Sequence, residues 1–257
     1  VTDSPFPSLD PAKKALEVAN AEVIQAESNS EEDIIKAAEN ADAILVTYAK
    51  LNEKILRSLK KCKAIGRFGI GVDNIDVAAA TKHGVIVVNT PAGNTISTAE
   101  HSFSMMAALA RNIPQAHATV KNGGWSRKDY KGVELNKKTL AILGMGRIGT
   151  EFARRAIAFG MRVVAYDPYL SPSRARALQV ELFTEVAEAA AAADFITLHM
   201  PLTEDTRHIV DANLLKKCKP GVRIINCARG GLVDEPALLE AINEGHVAGA
   251  ALDVYEQ

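Results

Sequence analysis

Strand-like apolar runs alternate with helical segments over about the first ninety residues of the chain. The runs AILVTY, KAIGRF and VIVVNT are typical of strands that are covered on both faces. Ser30 and Asn52 stand where side chains cap the first turn of a helix, and Gly84 stands where a helix ends. Because parallel strands need crossover helices, this alternation predicts βαβ units around a parallel sheet, with VTD at residues 1–3 as the tail of an earlier strand.

A break at TPAGN, near residue 92, separates this series from a second one. From Thr139 onward the strand-like runs are TLAIL, RVVAYD, DFITLHM, RIINCA and VAGAALDV, with helices between them. The chain is therefore predicted to be an α/β protein with two doubly wound parallel-sheet domains, residues 1–92 and 93–257. The alanine-rich stretch from Glu188 to Ala193 is predicted to be a helix surface and nothing more.

The segment between the two series is helical at first and then irregular. Apolar residues at helical spacing predict a long helix from Ser97 to about Lys121, interrupted near Pro114. The exposed connection after it carries Trp125, the one tryptophan of the chain. Methionines on such a helix favour core packing or a contact between subunits over a cofactor role. A lone tryptophan on such a loop favours a contact between subunits over a catalytic role.

Composition narrows the choice of partners. Thirty basic and 31 acidic residues give a net charge of −1 without any basic block, so nucleic acid is not expected. No apolar run approaches the roughly 18 residues that a membrane helix needs, so no membrane partner is expected. The three cysteines have neither disulfide nor metal-ligand spacing, which favours a reducing, cytoplasmic compartment and predicts no metal site.

GMGRIG, at residues 144–149, has the GxGxxG spacing of a dinucleotide-binding loop. It follows the strand TLAIL and opens an amphipathic helix, which is the setting that such a loop requires. In this motif Gly144 permits the tight turn, Gly146 lets the backbone approach a pyrophosphate, and Gly149 lets the helix pack on the strand. The free N–H groups at the helix start are then placed to bind the phosphates.

Asp167 ends the next strand, 18 residues after Gly149, where an acidic side chain accepts hydrogen bonds from ribose hydroxyls. Its charge repels a 2′-phosphate, and Pro168 and Tyr169 offer no cation that would bind one. The cofactor predicted from these residues is therefore NAD rather than NADP.

Three further positions suggest anion or cofactor binding. Arg229, in INCARGG, is placed at a strand end to hold a carboxylate through paired hydrogen bonds, with a surface salt bridge as the alternative. His199 ends another strand and is predicted to face the cofactor. Gly69 and Gly71 form either an anion-binding turn or a simple one, and nearby Arg67 favours the acidic ligand.

Together, GRFGIGVDNID, NTPAGN, LGMGRIG, AYDPY, LHMPLTEDT and NCARGGLVDEPALLEA resemble, in kind and in order, the motifs of the D-isomer-specific 2-hydroxyacid dehydrogenases. The resemblance implies a flavodoxin-like substrate domain, a Rossmann NAD-binding domain and a cleft that closes over a small 2-hydroxy or 2-oxo acid. It also implies a homodimer or homotetramer, with subunit contacts from Ser97 through Tyr130. Within the family, D-3-phosphoglycerate, the starting substrate of serine synthesis, is the first expectation.

The resemblance also implies a role for individual residues. Arg229 is implied as the catalytic residue that anchors the substrate carboxylate. The implied substrate contacts are Arg67, Gly69, Ile70, Gly71, Asn74 and Arg127. The implied cofactor contacts are Gly144, Gly146, Arg147, Ile148, Gly149, Asp167, His199, Met200, Pro201, Thr206, Cys227, Ala228, Arg229 and Asp253.

Two departures from the family pattern bear on the activity. Thr47 stands where animal-type members that act on phosphoglycerate carry an arginine near the substrate phosphate. Arg67 and Arg127 still match basic positions near that phosphate, and Lys50 is close enough to compensate in part. The family's catalytic glutamate would fall one position past Gln257, with Glu256 one place early, and its acid/base histidine would come later still. The chain is therefore expected to be part of a longer enzyme.

Two other functions stay open. Thr47 favours a reductase of another D-2-hydroxy acid or of glyoxylate and hydroxypyruvate. From a different class, a NAD-sensing binding protein similar to the C-terminal-binding corepressors would share the fold and the arginine.

Overall fold

The computed structural model describes residues 1–256, which fall into two compact units, Val1–Asn94 and the chain from Thr95 onward. The division lies two residues from residue 92, where the sequence predicts the domain boundary. Both units are α/β with parallel sheets, as predicted. Within the described residues, no helix is long and apolar enough to cross a membrane.

The first unit contains a three-stranded parallel sheet in the order β1–β2–β3. Its strands are β1 (Ala43–Val46), β2 (Ala64–Arg67) and β3 (Ile86–Asn89). Its helices are α1 (Asp10–Leu16), which continues into a 3-10 turn at Glu17–Ala19, α2 (Glu31–Ala38), α3 (Glu53–Ser58) and α4 (Val77–Lys82). The side chains of Ser30 and Asn52 accept capping hydrogen bonds at the starts of α2 and α3, as predicted.

The prediction of a strand at residues 1–3 was wrong. Thr2 N donates to Leu45 O at 3.0 Å and Ala26 N donates to Val1 O at 2.9 Å, so the segment lies beside β1 without forming a ladder. Pro5 and Pro7 follow almost at once, and a proline has no N–H with which to extend a ladder.

The second unit is built on a six-stranded parallel sheet in the order β6–β5–β4–β7–β8–β9. Its strands are β4 (Thr139–Leu143), β5 (Arg162–Tyr166), β6 (Glu181–Phe183), β7 (Phe195–Leu198), β8 (Val222–Asn226) and β9 (Val247–Leu252). Its helices are α5 (Thr95–Ala110), α6 (Ile113–Lys121), α7 (Arg147–Ala158), α8 (Pro172–Ala177), α9 (Val186–Ala192), α10 (Ala212–Lys217) and α11 (Glu235–Asn243), with a 3-10 turn at Gly230–Leu232. The winding reverses between β4 and β7, so ligands are expected at the carboxyl ends of these two strands.

Apolar side chains cover both faces of this sheet, and β4 and β7 are buried along their whole length. On one face lie α5 and α7, whose Phe103 and Phe152 rings have centroids 5.6 Å apart. On the other face lie α9, α10 and α11, which contribute Ala190, Leu214 and Leu238 to the core. Packing on both faces thereby fixes the two central strands, β4 and β7, and with them the positions of their carboxyl ends.

The alanine-rich stretch is part of this core, so its prediction as a helix surface was wrong. Ala189, Ala190 and Ala193 have no exposed surface, whereas Glu188 and Ala191 on the same turn are exposed. An alanine side chain is small enough for α9 to lie close against the sheet, so a run of alanine marks close packing here. Strand β6, just before α9, was also absent from the sequence prediction.

Candidate functional site

Three glycines shape the turn between β4 and α7, for different reasons. Gly144 has φ +98°, and a Cβ there would lie 2.7 Å from the carbonyl oxygen of His199. A Cβ at Gly149 would overlap the carbonyl oxygen of Gly144. A Cβ at Gly146, by contrast, would meet no heavy atom of the described residues within 4 Å. Packing therefore accounts for two of the glycines, and the open side of Gly146 fits the approach of a ligand to the backbone.

Helix α7 presents its amino end at this turn. Gly146 is the N-cap and Arg147 and Ile148 are the first helical residues, so no side chain at the cap position covers the first N–H groups. Those groups have no acceptor within the helix, and together they carry a partial positive charge. Because Phe152 and Ala156 are buried against the sheet, the helix axis is fixed. The geometry suits a pyrophosphate, as the motif predicts.

Asp167, just after β5, bonds directly to the glycine turn. Its Oδ2 accepts a hydrogen bond from Met145 N at 2.7 Å, and its Oδ1 accepts one from Tyr169 N at 2.8 Å. The carboxylate is therefore held in one orientation beside the turn, at the strand end where a ribose binds in this type of fold. Its contact with the ribose stays a prediction.

His199, just after β7, packs inward. Its ring lies against that of Phe152, with centroids 5.1 Å apart, and its Nε2 is 3.0 Å from Thr197 Oγ1. Burial lowers the pKa of His199 to about 3, so the imidazole is neutral at neutral pH. The group that reaches the glycine turn is the backbone carbonyl, not the ring. A cofactor contact of His199 stays a prediction, and the backbone is better placed than the imidazole to make it.

The loop after His199 is organised by Thr206. The Thr206 hydroxyl donates to Pro201 O at 2.7 Å and accepts from Thr203 N at 2.8 Å. Met200 is buried in the core of the unit. These contacts fix the loop at the end of β7, where the resemblance places Met200, Pro201 and Thr206 near the cofactor.

Asn226, which the sequence analysis missed, organises the loop that carries Arg229. It is 1% exposed at the end of β8. Its Oδ1 accepts from Ala228 N at 3.0 Å and its Nδ2 donates to Arg229 O at 2.7 Å, while Arg229 Nη1 donates to Ala228 O at 2.7 Å. The available signal was an amide residue that closes the strand VRIIN directly after two buried isoleucines.

The segment after β9 lies against the same loop. A Cβ at Gly230 would overlap the backbone of Tyr255 and Glu256, so only glycine fits there. The Glu256 carboxylate pairs with Arg207 and His208, and its N–H donates to Glu235 Oε1 at 2.6 Å. The hydrogen bond from His208 and the charge of Arg207 hold the pKa of Glu256 below its ordinary value. Sequence reasoning did not foresee this network.

In the first unit, the predicted substrate contacts lie at the carboxyl end of β2. The guanidinium of Arg67 lies over Gly69, and its Nη1 donates to Phe68 O at 2.9 Å. Arg67 Nε is buried and has no hydrogen-bond partner among the described residues. Gly69 has φ +147°, and its carbonyl accepts from Thr90 N at 3.0 Å. The turn through Ile70 and Gly71 is thus flanked by a cation, as predicted for an anion-binding turn.

Asn74 and Thr47 both make hydrogen bonds within the first unit. Asn74 Nδ2 donates to Thr47 O at 3.3 Å and to Ala49 O at 2.8 Å. The N–H groups of Thr47 and Tyr48 donate to the Asp3 carboxylate at 3.0 and 2.6 Å. Burial opposes ionisation of Asp3, but these hydrogen bonds outweigh it and hold its pKa below the ordinary value. The Asp3 carboxylate therefore lies beside Thr47. Position 47 is the one at which the family resemblance led us to expect an arginine.

Arg127 lies in the second unit, on the connection after α6. It lines a pocket of about 380 Å³ together with Ala116, Thr119, Val120, Trp125, Ser126 and Tyr130. Thr119 Oγ1 and Tyr130 Oη are 2.5 Å apart and tie the connection to α6. Arg127 thus belongs to the segment that was predicted to contact a second subunit.

The second unit combines a reversal in strand order, a glycine turn with one open side and an aspartate at the next strand end. These features define it as a dinucleotide-binding domain of the Rossmann type. Residues 103–257 match the family model described as "D-isomer specific 2-hydroxyacid dehydrogenase, NAD binding domain", and the chain belongs to this family. NAD is accordingly the cofactor of the domain, as predicted.

Curated relatives are similar over most of the chain. The D-3-phosphoglycerate dehydrogenase of Bacillus subtilis (strain 168) is 55% identical over 218 residues, which cover 84% of this chain and 41% of the relative. The D-3-phosphoglycerate dehydrogenase of Methanocaldococcus jannaschii is 47% identical over 258 residues, which cover 100% of this chain and 48% of the relative. The chain thus spans about half the length of the curated relatives it matches.

Among solved structures, the D-lactate dehydrogenase from Aquifex aeolicus complexed with NAD and lactic acid has a TM-score of 0.89 and 31% identity. The match covers 100% of this chain and 76% of that chain. The predicted fold class and family are therefore confirmed.

Proposed function

We propose that the protein is an NAD-dependent oxidoreductase that converts D-3-phosphoglycerate to 3-phosphohydroxypyruvate, the reaction expected at the start of serine synthesis. The NAD-binding domain supports the use of a nicotinamide cofactor. The names of the relatives at 55% and 47% identity support the substrate. The structural observation that carries the cofactor part of the proposal is the glycine turn with its open side at Gly146.

Each residue group has a separate task in this proposal. When bound, NAD supplies the acceptor or donor of a hydride. The first N–H groups of α7 bind the pyrophosphate, and Asp167 accepts hydrogen bonds from the ribose. Arg229, held in place by Asn226, binds the carboxylate of the acid through paired hydrogen bonds. In the first unit, Arg67 and the turn at Gly69 to Gly71 remain the predicted donors for the acid.

Gly146→Ala tests cofactor binding. A Cβ at Gly146 has room in the protein, so we expect the free energy of unfolding to change by less than about 1 kcal/mol. The methyl group would occupy the space that the pyrophosphate needs, so the Kd of NADH, measured by fluorescence, should rise at least about tenfold. Gly93→Ala, where a Cβ makes only ordinary contacts with Thr90, should leave both quantities unchanged. Undiminished NADH binding by Gly146→Ala would contradict the proposal.

Arg229→Lys tests substrate binding in a form of the protein that turns over its substrate. Lysine keeps the charge but cannot form two parallel hydrogen bonds to a carboxylate. We expect the KM for the acid to rise at least about tenfold while the Kd of NADH stays the same. An equal loss of both affinities would show that Arg229 does not anchor the substrate.

A second candidate is an oxidoreductase of an unphosphorylated D-2-hydroxy acid. It is favoured by the Asp3 carboxylate beside Thr47, because a negative charge there repels a phosphate. The two candidates differ in the ratio of kcat/KM for D-3-phosphoglycerate and D-lactate. In a longer form of the protein that includes the expected glutamate and histidine, a ratio well above one supports the first candidate and a ratio below one supports the second. In that form, NADH binding without turnover of either acid supports a NAD-sensing binding protein.

We also propose that the protein is a homodimer or homotetramer in the cytoplasm. The pocket at Trp125 supports self-association through α6 and the connection after it. Three cysteines, all free and buried, support the reducing compartment. Sedimentation equilibrium of the protein with Trp125→Ser should show a shift towards monomer, and an unchanged mass would place the interface elsewhere.

A further inference from the structure

The 3-10 turn Gly230–Leu232, which directly follows Arg229, is in contact with two other segments of the second unit. The loop after β7 contacts it through His208, whose N–H donates to Gly231 O at 2.8 Å. The segment after β9 contacts it at its first glycine, where a Cβ would lie only 2.5 Å from Glu256 N. The turn is therefore enclosed by the loop after β7 and the segment after β9.

The side chain of Glu256 joins these two segments to each other. Its carboxylate pairs with Arg207 and with His208, whose Nε2 lies 2.5 Å from Glu256 Oε2. Its own N–H donates to Glu235 Oε1 at 2.6 Å, at the start of α11. We infer from these contacts that Glu256 is a positioning residue for Arg229. Together with Arg207 and His208 it forms a clamp around the turn that follows the arginine.

This inference rests on the proposed role of Arg229 in binding the carboxylate of the acid. Asn226 fixes the loop at Ala228 N and at the carbonyl of Arg229 itself. The clamp fixes it immediately after the arginine, at Gly230–Leu232. Paired hydrogen bonds to a carboxylate require one orientation of the guanidinium, and restraint on both sides of Arg229 along the chain limits the orientations that it can adopt.

The competing explanation is a surface ion pair that has no effect on the position of Arg229. An isolated exposed pair stabilises a protein little, whereas a carboxylate shared by two cations forms a network. The side chain of Glu256 is 27% exposed, so it is better shielded from solvent than that of Arg207, which is 54% exposed. Truncation of Glu256 removes both pairs at once and leaves the backbone of the turn unchanged in sequence.

Steady-state kinetics test the inference in a form of the protein that turns over its substrate, with whichever of D-3-phosphoglycerate and D-lactate it oxidises better. Misplacing a binding group by about 1 Å can cost about 100-fold, so the KM for the acid should rise at least about fivefold in Glu256→Ala. The kcat and the Kd of NADH should change by less than about twofold. Glu256→Gln keeps an oxygen that accepts a hydrogen bond, so its KM should rise less. Glu240→Ala, at an exposed position on α11, is the control and should behave as the wild type does.

Amide hydrogen exchange shows whether the loop itself is affected. In Glu256→Ala, exchange should become faster in peptides that cover residues 229–234 and stay the same in peptides that cover β4. Unchanged exchange at residues 229–234 would overturn the inference. Equal acceleration in both regions would indicate a general loss of stability and would overturn it as well.

Two further variants separate the possible failures. A raised KM in Arg229→Lys with a wild-type KM in Glu256→Ala would overturn the clamp and leave the substrate role of Arg229 intact. A wild-type KM in both would overturn that role and the inference with it. The double variant of Glu256→Ala and His208→Ala should have the same KM as Glu256→Ala alone, because the two side chains act through one contact. Additive effects would contradict the clamp.

Discussion

At the scale of single residues, Asn226 shows how a buried amide positions a functional side chain. Both of its polar atoms bond to the backbone of the loop that carries Arg229, one at 3.0 Å and one at 2.7 Å. A buried polar group that loses its partner costs about 1–3 kcal/mol. The conformation of the loop therefore depends on Asn226, a residue for which no ligand contact was predicted.

Replacement of Asn226 by alanine should lower the free energy of unfolding by about 2–4 kcal/mol, because it leaves two backbone groups without partners and a small void. Urea denaturation measures this loss. Asn213→Ala is the control: Asn213 is exposed, so its stability change should stay within about 0.5 kcal/mol. A similar small change for Asn226→Ala would mean that water or a rearranged loop replaces its hydrogen bonds.

Asp167 is predicted to set the preference for NAD over NADP through its charge. Asp167→Asn keeps an acceptor for Met145 N but removes the charge that repels a 2′-phosphate. We expect the ratio of the Kd values of NADPH and NADH to fall about tenfold, which corresponds to about 1.4 kcal/mol. Asp205→Asn, on an exposed loop, should leave this ratio unchanged. An unchanged ratio in Asp167→Asn would argue against the ribose contact.

At the scale of elements, α9 illustrates how alanine permits close packing. Its Ala190 is fully buried and its Ala191 is exposed, although they are neighbours in sequence. Ala190→Leu should destabilise the protein by about 1–3 kcal/mol because the larger side chain forces the helix off the sheet. Ala191→Leu, on the solvent side, should change stability by less than about 0.5 kcal/mol. Equal effects would show that α9 shifts freely over the sheet.

The elements that sequence predicts well are those whose local signals agree with their packing. The strands TLAIL and FITL are mostly apolar, with one buried threonine each, because both of their faces are covered. Ser30 caps α2 through a bond that needs only local geometry. The alanines of α9 were misread because composition does not tell a surface alanine from a core one. Strand β6 was missed because ELF is three residues long and only partly buried.

Within the candidate site, too, the sequence predicts the residues that a known local pattern specifies and misses the others. The glycine turn and Asp167 follow a fixed spacing along one βαβ unit, so sequence predicts them. Asn226 bonds to backbone groups of its own loop, so the amide that closes its strand was a local signal that the sequence analysis passed over. The ion pairs of Glu256, by contrast, join positions about fifty residues apart. Such long-range meetings depend on the packed fold, which no local pattern encodes.

At the scale of the whole molecule, His199 makes stability depend on pH. Its pKa is about 3 in the folded protein and near 6.5 in the unfolded chain. Between these values the unfolded chain binds a proton that the folded protein does not, so stability falls as the pH falls. An aspartate with a lowered pKa, such as Asp3, makes the stability depend on pH mainly below its ordinary pKa of 3.8. The interval from about pH 6.5 to 4.5 therefore lies above the range in which such carboxyl groups change the stability.

Denaturation of the wild type over that interval should show a loss of up to about 1.4 kcal/mol per pH unit from this group. His199→Gln cannot take up the proton, so its stability should vary less with pH, even if lost packing on Phe152 lowers it at every pH. His117→Gln, at an exposed position on α6, should keep the wild-type slope. A wild-type slope in His199→Gln would assign the pH dependence to other groups.

The exposed position of Trp125 provides an optical reporter. This indole is 81% exposed and is the one tryptophan of the chain, so its fluorescence is that of a ring in water. The proposed contact with a second copy of the chain would cover the ring, so association should move the emission maximum to shorter wavelength and make the emission less accessible to iodide quenching. A dilution series of unlabelled protein would then give the association constant for self-association through α6 and the connection after it, because the measured signal is the fluorescence of Trp125 on that surface.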